Sequence, residues 1–292
     1  MITVPCPDTS VPINLSIFTS IVSATFCIVA TTGNFLICLA VYKDPEKKLR
    51  KPYMFMITNL AFIDLMVGAV VLPVAVVTHS LEASADREGQ FYKTLLIVAR
   101  MLFFITATAR TSTLIAFCTD RLLFIHYPIR YRRFATRRSY ACAVVGIWLL
   151  SAAITNLYFA VTYICFLFVF AHFAILFVLA LSVITCYLLK LLKKKAKKRQ
   201  AMTHSFTTPP RLNKSFTALL LVFLVTFLAC NIPAIVMMYL IKFYTTLDCS
   251  VRHIVRDLLY LFMLSNSAFN PWVSTLRLKP VYRALKMIFG LT

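Results

Sequence analysis

The chain has 292 residues, 60% of them hydrophobic and only 14% charged, with a mean hydropathy of +0.82. Such a composition excludes an ordinary soluble domain and indicates a polytopic, all-α membrane protein. A net charge of +21 would suggest nucleic acid for a soluble chain, but here the basic residues fill short segments between apolar runs, so no nucleic-acid partner is expected.

Measured against the ~20 residues that a membrane-crossing helix needs, the apolar runs predict seven spans, near 16–42, 53–80, 91–124, 138–161, 163–191, 215–242 and 254–276. Residues 1–292 then form one bundle. Lys and Arg number five at 43–51, six at 121–138, nine at 190–214 and four after Thr275. This one-sided excess predicts a multi-pass protein of the plasma membrane, with the N-terminus outside and the tail in the cytoplasm. No basic region precedes the first run, so no cleavable signal peptide is expected. Asn14-Leu15-Ser16 is a glycosylation sequon on the predicted outer side, whereas Asn213-Lys214-Ser215 should face inward and stay unmodified. The basic stretch after Lys193 should continue the fifth helix into anionic lipid headgroups. Residues 278–289 place Val281, Leu285, Ile288 and Phe289 on one face, which predicts a short amphipathic helix on the inner membrane surface.

Nine cysteines are scattered without a metal-binding spacing, and most should act as small buried hydrophobes. Cys6, Cys249 and Cys165 are the three placed to reach an oxidising compartment. Gly-rich phosphate loops, paired cleft carboxylates and a nucleophile with its base are all missing, so neither an enzyme nor a cofactor is expected.

The third run carries Arg100, Arg110 and Arg121. At ~1.5 Å rise per residue, Arg100 and Arg121 stand ~31 Å apart, about the hydrocarbon thickness, which leaves Arg110 near mid-membrane. Counted from the cytoplasmic edge, Asp64 and Arg110 both lie ~16 Å deep, at the level of Asn34 and Asn266. Intramembrane polar groups face the bundle interior and pair, so an Asp64–Arg110 ion pair is expected, with Asn34, Asn266 and Asn270 around it. An ion or proton transporter could use such a pair as a relay, but no internal repeat of the transporter kind is visible.

The chain resembles the rhodopsin-like, or class A, G-protein-coupled receptors, through markers that occur in order across all seven spans. They are Gly33-Asn34, Asn59-Leu60-Ala61 with Asp64, Asp120-Arg121, Trp148, Tyr187, Phe227 with Cys230 and Pro233, and Asn270-Pro271. The resemblance implies a seven-transmembrane receptor. Its partners would be a heterotrimeric G protein, membrane lipids and an extracellular small-molecule, lipid or peptide ligand. Asp120 would restrain Arg121 at rest, Arg121 and Tyr187 would serve coupling, and Pro233 and Pro271 would kink their helices. If helix facing follows the family, Arg100, Phe103, Phe104, His172, Asn231, Met238 and Tyr260 would line the ligand pocket. Phe103 replaces the aspartate of amine receptors and Leu264 the retinal lysine, so the pocket suits a lipid-like or neutral ligand.

The departures are informative. Leu122, Asn231 and Ser274 replace a usual Tyr, Trp and Tyr, which leaves open a receptor that is constitutively active or signalling-deficient. Leu96 stands where a cysteine usually opens span three, and Leu179 where span five usually has proline. With a vestigial second outer loop, this looks like the melanocortin, lysophospholipid and cannabinoid branch. Val74, Leu96 and Arg100 do not match the melanocortin acidic cluster, but Cys6 and Cys249 are placed for a melanocortin-like bridge. Arg110 stands where the family usually has a small polar residue beside a sodium ion, which implies a fixed cation in its place.

Overall fold

The computed structural model describes residues 12–49, 51–84, 89–161, 163–202, 212–243 and 248–290. These are helical almost throughout: α1 (Ile13–Lys43), α2 (Met54–Met66), α3 (Leu72–Ala83), α4 (Gln90–His126), α5 (Pro128–Phe134), α6 (Arg137–Asn156), α7 (Tyr163–Met202), α8 (Leu212–Phe243), α9 (Cys249–Arg277) and α10 (Lys279–Ile288). A π turn, Val67–Val71, joins α2 to α3. It lies just before Pro73, whose missing N–H already interrupts the helical ladder. The basic stretch of the fifth run is helical as far as Met202.

Among the described residues six helices are long and apolar enough to cross a membrane: Ile13–Lys43, Met54–Ala83, Gln90–His126, Arg137–Phe159, Val169–Leu191 and Val222–Ile241. The segment expected as a seventh span, 254–276, lies in α9, which is long enough at 29 residues. Arg252, Arg256, Asp257, Asn266 and Asn270 make it too polar to join that set. The short helix α5 was not expected from sequence, because its PIRYRRF segment reads as a basic inner loop.

Helix order in space follows from packing. α9 lies against both α1 and α8, α1 against α2 and α3, and α4 against α2, α6 and α7, with α7 closing onto α8. Two glycines permit the closest approaches to α1. A Cβ on Gly68 would come within 2.6 Å of the Thr31 backbone nitrogen, and one on Gly33 within 2.6 Å of Pro271 Cβ. The helix ends are set locally. Asp44 terminates α1 at a left-handed φ of 33°, a conformation that Asp tolerates, and its carboxylate accepts from the Leu49 N–H at 3.0 Å. Thr136 caps α6 by accepting from the Ser139 N–H at 3.2 Å.

Two buried apolar clusters sit one above the other. One, around Leu60, Phe117, Phe223 and Leu278, lies toward Arg121. The other, around Phe103, Phe104, Phe166 and Leu264, lies toward Glu82. The helix α10 docks through buried Val281 and Ala284, while Tyr282 and Phe289 are exposed. Leu285 packs partly on the core, so Phe289 is not on the docked face.

Candidate functional site

Between the two apolar clusters lies a polar layer. Asp64 is fully buried and Arg110 is 5% exposed. They form an ion pair through Asp64 Oδ1 and Arg110 Nη2, and the same nitrogen donates to Ser267 Oγ. Arg110 Nη1 donates to the Met263 carbonyl at 3.4 Å, and Asn270 Nδ2 donates to the other Asp64 oxygen at 2.6 Å. The carboxylate is thus held from α4 and α9 together. Pro271 has no N–H to give the carbonyl of Ser267, one turn earlier. Asn34 Nδ2 takes that carbonyl instead, at 3.1 Å.

Ser267 therefore fills the place that depth-counting gave to Asn266. Asn266 is buried but points ~100° away from Ser267 around the helix, and its Oδ1 has no hydrogen-bond partner among the described residues. Beside this layer, Trp148 Nε1 donates to Asn59 Oδ1 at 3.0 Å and Asn59 Nδ2 to Thr113 Oγ1 at 2.8 Å, tying α6, α2 and α4 together.

A latch lies at the far end of α4. Arg121 Nε donates to Asp120 Oδ2 at 2.8 Å, and its Nη2 pairs with the same oxygen. On the other carboxylate oxygen, Tyr131 donates at 2.9 Å and Tyr140 donates alongside, the two phenol oxygens lying 2.7 Å apart. The Arg121 guanidinium also lies 4.9 Å from the Tyr53 ring centroid, within cation–π range. Tyr53 precedes the Met54–Ala83 span, and burial pushes its phenol up to about 12. Burial likewise raises Tyr131 in α5, so both phenols keep their protons at ordinary pH. Tyr131 and Tyr140 were not expected from sequence. Tyr187, grouped with the latch from the family resemblance, is exposed; its ring faces His126 at 5.9 Å, and it makes no bond to Asp120 or Arg121.

The expected ligand pocket is only partly assembled. One small cavity is lined by Phe103, Thr106, Arg110, Thr111, Phe227, Asn231 and Met263, among others. A second small cavity shares Thr111, Phe227, Asn231 and Met263 and adds Phe170, Phe173 and Phe177. Of the residues expected there, Phe103 and Asn231 line a cavity. Phe104 packs edge-on against Phe166 and Phe170, and Met238 is buried in the same apolar cluster. Tyr260 stacks on Phe103 at 5.2 Å. Arg100 donates to Tyr158 OH at 3.3 Å, and exposed His172 meets Tyr239 OH at 3.2 Å. Polar tips drew these two to partners on neighbouring helices rather than into the cavities. The proline pair stands inside continuous helices, Pro233 in α8 and Pro271 in α9.

A second charged cluster, also not expected from sequence, joins the other helix ends. Arg256 donates through both Nη atoms to Glu82 at 2.9 Å and through Nε to Asp257 at 2.7 Å. Tyr92 OH donates to Glu82 at 2.9 Å, Thr19 Oγ1 to Asp257 at 3.1 Å, and His79 Nδ1 lies 3.0 Å from Glu82. Nearby, Cys249 is disulfide-bonded, but Cys6 lies outside the described residues. Asn14 is exposed in the first turn of α1, whereas Ser16 of its sequon is buried.

The structure is thus a bundle with six helices long and apolar enough to cross a membrane, a buried ion pair between them and a charged latch at one end. A family model described as "7 transmembrane receptor (rhodopsin family)" matches residues 33–273, and the chain belongs to that family. It is a family of receptors, not enzymes. The chain is 30% identical over 131 residues to Dopamine receptor 4 of Caenorhabditis elegans, covering 45% of this chain and 24% of that one. It is 33% identical over 126 residues to Dopamine receptor 1 of Drosophila melanogaster, covering 43% and 23%. With Adenosine receptor A3 of Canis lupus familiaris it shares 33% over 122 residues, covering 42% and 36%. The match thus spans between about a quarter and about a third of the length of these relatives. Their names are those of amine and adenosine receptors rather than of the melanocortin, lysophospholipid and cannabinoid branch to which the sequence pattern pointed.

Proposed function

We propose that this chain is a plasma-membrane receptor that passes an extracellular ligand signal to heterotrimeric G proteins. The observation that carries the reading is the Asp120–Arg121 pair, held by Tyr131 and Tyr140 from the segment that follows α4. A charge restrained by groups on a separate element is a two-state device, and release of Arg121 would expose a cation to a partner. Residues 1–292 act as one bundle, α9 as the seventh span and α10 as a helix on the inner membrane surface. The Arg121 end faces the cytoplasm and the Glu82 end faces outside, in keeping with the basic segments. Cys249 would pair with Cys6, tying the N-terminus to the start of α9, and Asn14 would carry the glycan.

The ligand is neutral or lipid-like. No acidic residue lines either cavity, and the buried carboxylate beside the first, Asp64, is already neutralised by Arg110. In the first cavity an ammonium ligand would meet no lining carboxylate and the Arg110 guanidinium, which disfavours amines despite the names of several relatives. Membranes holding the unliganded chain, screened for nucleotide exchange against each G-protein class, test the receptor reading. Arg121→Ala should silence any signal. Absence of exchange with every class would favour a signalling-deficient protein, and ion flux in liposomes would favour a transporter.

A further inference from the structure

The two small cavities adjoin, since Thr111, Phe227, Asn231 and Met263 line both. We propose that together they form a site for an uncharged lipid bearing a carbonyl group, which enters sideways from the bilayer between α6 and α7 and sets its carbonyl oxygen on Arg110 Nε. That such a lipid is the signal rests on the receptor reading above; the site itself does not.

At the inner end, Arg110 is the charged residue of the first cavity's wall and is 5% exposed. Its Nη atoms donate to Asp64, Ser267 and the Met263 carbonyl, whereas Nε is buried with no hydrogen-bond partner among the described residues. A buried donor left without an acceptor is costly, so an acceptor that reaches Nε is stabilised there. Asp64 already balances the guanidinium. An anion would add a second buried negative charge, and a neutral carbonyl is the group that fits.

At the other end the site borders the lipid. Ile154 of α6 and Phe170, Phe173, Ala174 and Phe177 of α7 wall the second cavity. Phe173 is 42% exposed, so it belongs both to the cavity and to the outer face of the bundle. Both helices pack on α4, whose Thr108 and Thr111 form the cavity floor. Rotation of the Phe173 side chain joins this space to the acyl chains. The way from the Glu82 end is obstructed: Phe103, in the first cavity's wall, packs on Phe104 and Tyr260, and Phe104 on Phe166 and Phe170. Beyond them Arg256 of α9 holds Glu82 of α3. Because the cavities are small, the carbonyl enters and the remaining hydrocarbon stays against α6 and α7.

The test uses the purified whole chain in phosphatidylcholine vesicles and two photoactivatable probes of equal chain length. One is a fatty-acid methyl ester with a diazirine in its chain, the other the same hydrocarbon without the ester. Labelling by the ester, mapped by mass spectrometry, should saturate at the α6 and α7 cavity residues and at Thr111, at a lower probe fraction than the hydrocarbon needs. Ala174→Trp fills the second cavity and should remove the saturable labelling, whereas Leu176→Trp, at a position exposed on the same helix, should keep it. Arg110→Lys retains a cation for Asp64 but has no Nε donor, and should raise the half-saturating fraction of the ester roughly tenfold or more without moving that of the hydrocarbon. Should Arg110→Lys fail to fold, Ala107→Leu, which fills the first cavity, should equalise the two probes. Labelling that grows in proportion to the probe, that survives Ala174→Trp, or that treats both probes alike in the unaltered chain overturns the proposal. No G protein is needed, so failure here and failure of the receptor reading remain distinct results.

Discussion

Gly33 and Pro271 touch so closely that a methyl group on the glycine would stand 2.6 Å from the proline Cβ. This contact places α1 where Asn34 can satisfy the Ser267 carbonyl that Pro271 leaves open. Gly33→Ala should therefore cost about 1–3 kcal/mol through overpacking, read as a lower unfolding midpoint. Gly146→Ala is the control: nothing lies within 4 Å of that site, and the change should be neutral or stabilising by up to ~1 kcal/mol.

The Asp64–Arg110 pair should behave as a unit. Asp64→Asn or Arg110→Gln alone leaves a buried charge without its partner and should cost about 3–5 kcal/mol. The double variant should cost less than the two single losses together, with a coupling of roughly 0.5–3 kcal/mol. Additive losses in thermal unfolding would show that the two side chains do not support each other.

A cation fixed to the chain should make a mobile one unnecessary. Replacing sodium by an organic cation at constant ionic strength should leave both basal nucleotide exchange and the unfolding midpoint unchanged. Arg110→Ser vacates the position and should make both quantities sodium-dependent. Sodium dependence in the unaltered chain would refute the idea.

Tyr140→Phe removes one donor from Asp120 without changing the ring that packs below it. A hydrogen bond to a charged group contributes about 1.5–3 kcal/mol, so the released state should gain population roughly tenfold or more. Basal exchange should rise, and Tyr131→Phe should act in the same direction. Adding Arg121→Ala should abolish the increase, which separates a latch effect from general loosening.

Six of the seven expected spans were legible because membrane helices leave long apolar runs, and the Asp64–Arg110 pair because depth follows from counting residues at a fixed rise. Depth does not fix facing, which is why Ser267 and not Asn266 meets Arg110. The His79–Glu82–Asp257 cluster escaped because charged residues at the ends of apolar runs read as wet loop, and Arg256 lies 174 residues from Glu82. Tyr140 escaped similarly, since a tyrosine near a basic segment reads as an interfacial anchor. Arg100 and His172 were placed by analogy of facing, and nearer polar partners claimed them.

The π turn at Val67–Val71 acts as a phase shifter. One extra residue in a helical turn advances everything beyond it by ~100°, and His79 and Glu82 both lie beyond it. In an unbroken α-helix that kept Asp64 against Arg110, these two side chains would be rotated away from Arg256 and Asp257. The bulge thus lets one span present two charged faces in different azimuths, one to each half of the bundle. Deleting a single residue from 67–71 would spare the lower pair and turn the upper one out of register.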